Sequence, residues 1–337
     1  MSPVRPYVTH SFPVESLLLR GNRLGDPYER PLIVLAPEGR EPSAALPAIW
    51  MLPGHGSSQG GFLASDPWRE GLPQRLGRLT ASGALPPALF VLPDLFTRLG
   101  GSQSLDSSLN GPYERYLWEE LKPALEARFQ VKAHGIAGHS SGGYGAFIQA
   151  LRHPEIVRAV ACHAGDMLFE YAYLPDFPKA ANRLRAEGGV EKLVRGFDAA
   201  IKKQDSRWFA AINILAMAAA YSPNEAAPGG VDLPFDLETC QLRPDVWERW
   251  LAADPVRLVE QPGHQQTLKR LALLFIDAGS RDEFNLQWGA RALTRRLGQL
   301  GVPHTYEEFD DGHMGTAYRF DRSLPLLAQA LLSDTGN

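Results

Sequence analysis

Gly135-Ile136-Ala137-Gly138-His139-Ser140-Ser141-Gly142-Gly143-Tyr144-Gly145-Ala146-Phe147-Ile148-Gln149-Ala150-Leu151 is the stretch that decides the fold. A short apolar strand pattern runs into Gly138-His139-Ser140-Ser141-Gly142, and a helix pattern leaves it. This is G-x-S-x-G between a strand and a helix, the setting of a nucleophile elbow. So tight a turn demands small residues on both sides of the serine. Its strain lifts the Ser140 hydroxyl to the rim of a sheet, where a carbonyl can reach it. The plainer alternative is a Gly/Ser-rich helix start, and the strand–turn–helix context favours the elbow.

Outward from the elbow, apolar runs alternate with helical patterns. Residues 12–36 alternate around the turn cluster Gly21 to Pro27 and read as an antiparallel pair at a sheet edge. Ala48–Leu52 and Ala88–Leu92 read as buried strands. A Gly/Ser-rich loop spans 97–111, and Pro112 opens a helix to about Phe129. After the elbow helix, Ile156–Cys162 is the next strand. Residues 165–255 then show helical patterns with no strand, an inserted cap segment within a single domain spanning 1–337. Alternation resumes with a strand at Leu271–Ile276, a helix at Asn285–Gln299, a strand at His304–Phe309 and a helix at about 315–333. The fold class is α/β, with a mostly parallel sheet covered on both faces. Ligands of such sheets bind beyond the carboxyl ends of the strands.

Composition narrows the function. A chain of 337 residues, 44% hydrophobic, can bury a large core. A net charge of −4 with scattered basic residues gives no footprint for nucleic acid. No run approaches the roughly 20 apolar residues of a membrane span. The N-terminus, Met1 to Tyr7, has no apolar core of a signal peptide. Cys162 and Cys240 form neither a metal spacing nor a disulfide framework. The expected setting is cytoplasmic; a homo-oligomer is left open.

A serine hydroxyl needs a base to take its proton and a third group to orient that base. The chain order nucleophile, acid, histidine places the acid after a late strand and the histidine after the last one. Asp282 lies in the loop past Leu271–Ile276 and is preferred over Asp277, at the strand end, and over Glu283. Asp282 could also cap the following helix. His313 follows the last strand in a glycine-flanked loop. Of the other histidines, His139 packs beside the elbow, and His163 makes a structural hydrogen bond or lines the pocket. Two N–H groups are needed for the oxyanion. The readings are Ser141 at the elbow helix and His55 in Pro53-Gly54-His55-Gly56, with an ordinary glycine turn as the alternative at the latter.

Taken together, these residues resemble the putative-esterase family of α/β-hydrolases. That family includes S-formylglutathione hydrolase (esterase D), feruloyl and acetylxylan esterases, mycolyltransferases and enterochelin esterases. Gly138 to Ala146 is close to the family's GHSMGGYGA, and Asp311-Gly312-His313 and Leu92 to Gln103 are similar to segments of its members. The resemblance implies an α/β-hydrolase fold, a triad of Ser140, Asp282 and His313, and oxyanion donors at His55 and Ser141. The oxyanion loop departs from the family's His-Gly-x-Gly. The implied activity is carboxylic-ester hydrolysis through an acyl-enzyme, on a small-molecule ester, without metal or organic cofactor. An acyltransferase using the same acyl-enzyme and a non-catalytic binding protein are the alternatives; a metal hydrolase finds no supporting His spacing. The 97–111 loop, the oxyanion loop and the insertion are expected to line the pocket, with Phe62, Trp68, Phe169 and Tyr173 as candidate contacts. An aryl or short acyl ester suits such a cleft.

Overall fold

The computed structural model describes residues 7–39, 45–203 and 205–334. The reading of the extreme N-terminus, residues 1–6, lies outside them. Eight strands form one sheet: β1 (Tyr7–Glu15), β2 (Glu29–Pro37), β3 (Leu46–Leu52), β4 (Leu89–Leu92), β5 (Val131–His139), β6 (Val157–His163), β7 (Leu273–Gly279) and β8 (Thr305–Phe309). They lie in the order β1-β2-β4-β3-β5-β6-β7-β8. β2 runs antiparallel to both β1 and β4; every other neighbouring pair is parallel. This is the α/β-hydrolase fold.

Parallel neighbours need crossovers, and helices supply them. α1 (Leu72–Ala81) joins β3 to β4, and α2 (Ser141–Arg152) joins β5 to β6. Between β6 and β7 lie the helices α3 (Phe177–Glu187), α4 (Ser206–Tyr221) and α5 (Pro244–Leu251), together with the helices Val190–Ala199 and Pro262–Lys269 and several shorter turns. α6 (Leu286–Gln299) joins β7 to β8, and α7 (Phe320–Ser333) follows β8.

Alternation along the strands divides the core in two. Ala48, Trp50 and Leu52 of β3 face the larger cluster, which contains Phe147 of α2 and the apolar faces of α3, α4, α5 and α6. Ile49 and Met51 face the smaller cluster, built with Leu72, Leu76 and Leu79 of α1 and Leu324, Leu327 and Leu331 of α7. Every residue of β3 is buried, as expected of a strand covered on both faces. Arg75 and Arg78 of α1 both pair with Asp321 of α7, the latter pair at 2.8 Å, which ties the two helices of that face.

Several boundaries differ from the sequence reading. α1 is an addition: Gly77 weakens its helical signal, and Arg75 stands on its buried face. The helix expected from Pro112 to about Phe129 is three pieces, Tyr113–Arg115, a π-helical stretch Tyr116–Leu121, and Lys122–Glu126. Pro123, which has no N–H to donate, stands at the exit of the π stretch. The loop 97–111 contributes to a small hairpin, pairing Asp106–Ser107 with Gly111–Pro112. β7 continues through Asp277 to Gly279 and so places Asp277 inside the sheet.

Phe147 is fully buried in the larger cluster. Phe147→Ala is expected to cost about 3–5 kcal/mol of stability, read from the midpoint and slope of urea unfolding followed by tryptophan fluorescence.

Candidate active site

β5 delivers the chain to Ser140, which has φ 60° and ψ −128°. A non-glycine residue there is strained, and packing must hold it. Ser140 N–H donates to the His163 carbonyl of β6 at 2.9 Å, and the Ser140 carbonyl accepts from Tyr144 N–H at 2.9 Å. The flanking glycines are required by space. A Cβ on Gly138 would stand 2.2 Å from the Gly142 carbonyl oxygen, and one on Gly142 would stand 2.2 Å from that of Leu52. The G-x-S-x-G pattern therefore records two backbone contacts, one across the turn and one onto β3.

His313 follows β8 and is 4% exposed. Its Nδ1 lies 2.7 Å from Asp282 Oδ2. Asp282 is itself buried, and its Oδ1 accepts from Phe284 N–H at 2.8 Å. Glu283 also holds this loop, by accepting from the His313 backbone N–H at 2.6 Å. The edge of Phe284 packs on the imidazole with centroids 4.8 Å apart, and the His139 ring lies against it at 4.4 Å. Burial, followed by the charges of His313 and His163, holds His139 well below the ordinary imidazole range. His139 therefore stays neutral beside His313. Its Nε2 lies 3.3 Å from Thr316 Oγ1.

Asp277 has different partners. Its Oδ1 lies 2.7 Å from His163 Nδ1 and its Oδ2 accepts from Arg319 Nε at 2.9 Å. His163 Nε2 in turn lies 2.8 Å from Ser323 Oγ on α7. Ser323, His163 and Asp277 repeat a serine–imidazole–carboxylate chain, yet Ser323 is 0% exposed and no substrate can reach it. This chain welds β6, β7 and α7.

Ser140 and His313 line one cavity of about 350 Å³. No hydrogen bond joins the Ser140 hydroxyl to the His313 ring among the described residues; such contacts commonly tighten only when substrate fills the site. The loop after β3 borders the same cavity, and a Cβ on Gly54 would come 3.3 Å from Ser140 Cβ. The His55 ring packs edge-on to Phe209 at 6.0 Å, its Nδ1 has no hydrogen-bond partner among the described residues, and burial pushes its pKa down to about 4. Ser141 begins α2, where main-chain N–H groups lack intrahelical acceptors.

Two expected pocket residues fall elsewhere. Trp68 is 97% exposed and lies off the cavity, because no apolar layer covers the turn that carries it. Phe169 is fully buried behind the cavity wall among Tyr144, Tyr173 and Tyr221. Phe62 and Tyr173 do line the cavity. The 97–111 loop does not; it stands one layer back, with Gln103 reaching forward to Asp166. Asp166, Phe209, Asn213 and Phe284 line the cavity and are additions to the sequence reading. Only Asp166 had a usable signal, its place just past the end of β6.

The model of the family described as "Putative esterase" matches residues 27–325. The chain belongs to this esterase family. It is a carboxylesterase-type hydrolase. Among solved structures, the esterase is similar to a ferulic acid esterase, with 17% identity, TM-score 0.59, and 97% and 99% of the two chains covered. It is also similar to an S-formylglutathione hydrolase from Agrobacterium tumefaciens (18%, TM-score 0.58, 97% and 96% covered). The fluorophosphonate-binding serine hydrolase F of Staphylococcus aureus is a third (15%, TM-score 0.58, 98% and 100% covered). At these identities the likeness is one of fold. No curated protein matches the esterase.

Burial holds the His55 ring neutral, whereas at His153 the Glu114 carboxylate outweighs burial and raises the pKa. In an NMR titration of the imidazoles, His55 is expected to change near pH 4 and His153 above the ordinary ~6.5. A His55 ring titrating near the ordinary value would contradict this placement.

Proposed function

We propose that Ser140 attacks the carbonyl of a small carboxylic ester, with His313 as the base and Asp282 as the group that orients it. His313 Nε2 takes the hydroxyl proton as Oγ bonds to carbon, then returns it to the leaving alcohol. Water repeats the sequence on the acyl-enzyme and releases the acid. The backbone N–H groups of His55 and Ser141 receive the charge on the carbonyl oxygen, assisted by the positive end of α2. The relay needs no metal or organic cofactor.

The observation that carries this reading is the strained Ser140 opening into the cavity of a histidine whose Nδ1 is already held by a buried carboxylate. That contact fixes the tautomer that leaves Nε2 free to accept a proton. The cavity walls favour a partly aromatic or short acyl ester: Phe62, Tyr173, Phe209 and Phe284 line it. Residues 165–255 act as an inserted cap within one domain. Among the described residues no helix is long and apolar enough to cross a membrane. Unpaired Cys162 and Cys240 suit a reducing, cytoplasmic setting.

Hydrolysis of 4-nitrophenyl esters tests the roles. Ser140→Ala and His313→Ala are each expected to lower kcat by about 10⁴-fold or more, and Asp282→Asn by about 10⁴-fold. Asp277→Asn is expected to lower the melting temperature while leaving kcat within about tenfold. Loss of kcat with Asp277→Asn and not with Asp282→Asn would reverse the assignment. Acidification protonates the base, so kcat/KM is expected to fall at low pH. A rate flat from about pH 5 to about pH 8 contradicts a histidine base.

A further inference from the structure

Asp166 stands just past β6, 6% exposed, in the wall of the cavity that holds Ser140 and His313. Three donors converge on one of its oxygens. Oδ2 accepts from Ser141 Oγ at 2.9 Å, Tyr173 OH at 2.9 Å and Gln103 Nε2 at 3.1 Å. Oδ1 has no protein donor among the described residues, and it is not sealed from the cavity.

The surrounding backbone is forced. Ala164, Leu168 and Gln103 have φ of 42°, 55° and 54°, in the left-handed region. Each such non-glycine conformation is unfavourable and persists only where its surroundings impose it. Buried Asp254 imposes it at one end by accepting from Leu168 and Phe169 N–H at 3.0 and 2.8 Å. At the other end, Ala164 N–H donates to the Asp277 carbonyl at 2.7 Å. Gln103 Nε2 is shared with Tyr221 OH at 2.9 Å.

We propose that Asp166 is a substrate-binding residue whose Oδ1 receives a hydroxyl or ammonium donor carried by the ester. This rests on the esterase reading of Ser140 given above. Ser141 links the two sites: its hydroxyl holds Asp166, and its N–H is the proposed oxyanion donor. A bare carboxylate so near the oxyanion opposes the charge that develops there. Burial makes that carboxylate costly as well and raises its pKa. A substrate donor on Oδ1 offsets both effects. An ester lacking the donor leaves a buried acceptor unpaired and is discriminated against.

Two matched series of esters test this. One compares 4-nitrophenyl butyrate with its 3-hydroxy and 3-amino analogues; the other compares propyl butyrate with the 2-hydroxyethyl and 2-aminoethyl esters. In at least one series the donor-bearing ester is expected to exceed the plain one in kcat/KM by about tenfold or more. Asp166→Asn is expected to cut that preference at least about fivefold, because a neutral acceptor replaces a charged one. A merely structural Asp166 would lower all esters alike. Wild-type ratios under twofold in both series, or ratios unmoved by Asp166→Asn, overturn the proposal. If Asp166→Asn does not fold, the wild-type ratios decide alone. Hydrolysis that survives Ser140→Ala overturns the esterase reading instead.

Discussion

The contact of the Gly142 backbone on the Leu52 carbonyl is the constraint on which the site depends. It pins the first turn of α2 against β3, and the matching contact between Gly138 and Gly142 closes the bend. Between them Ser140 is held at φ 60°, a conformation that it would not keep alone. The same approach brings the β3 loop, with His55, beside the serine. The proposed nucleophile and oxyanion donors are thus placed by one piece of backbone packing, supported by a core that buries β3 on both faces.

Charge is organised around that bend in buried imidazole–carboxylate pairs. His313 with Asp282 borders the cavity; His163 also lines it, but its two ring nitrogens face Asp277 and Ser323, neither of which lines the cavity. Similar chemistry serves two purposes because access differs. Neutral His139 packs against His313 and keeps a second positive charge away from the proposed base. Asp166 adds a third carboxylate on the other side of the elbow, tied to it through Ser141.

Much of the fold was legible because it rests on local pattern. Apolar strands and the elbow motif mark β3 to β7, and strand ends mark the loops of Asp282 and His313. What was missed has physical causes. α1 buries an arginine and carries Gly77, so its apolar face is diluted. Asp277 lies within β7 because partners distant in sequence, His163 and Arg319, satisfy its charge. The aromatic residues were the least legible: composition cannot separate an exposed Trp68 from a buried Phe169 or a cavity-lining Phe62. Asp166 is held by Gln103, Ser141 and Tyr173, a convergence that only the tertiary fold creates.

The central claim is that the strained hydroxyl of Ser140, and no other, becomes covalently bonded. Mass spectrometry of the protein after reaction with a fluorophosphonate tests it most directly, with peptide mapping of the adduct. The account predicts one adduct per chain on the peptide that contains Ser140, and none after Ser140→Ala. An adduct on Ser323 or another residue, or an unmodified chain whose ester hydrolysis continues, would contradict it.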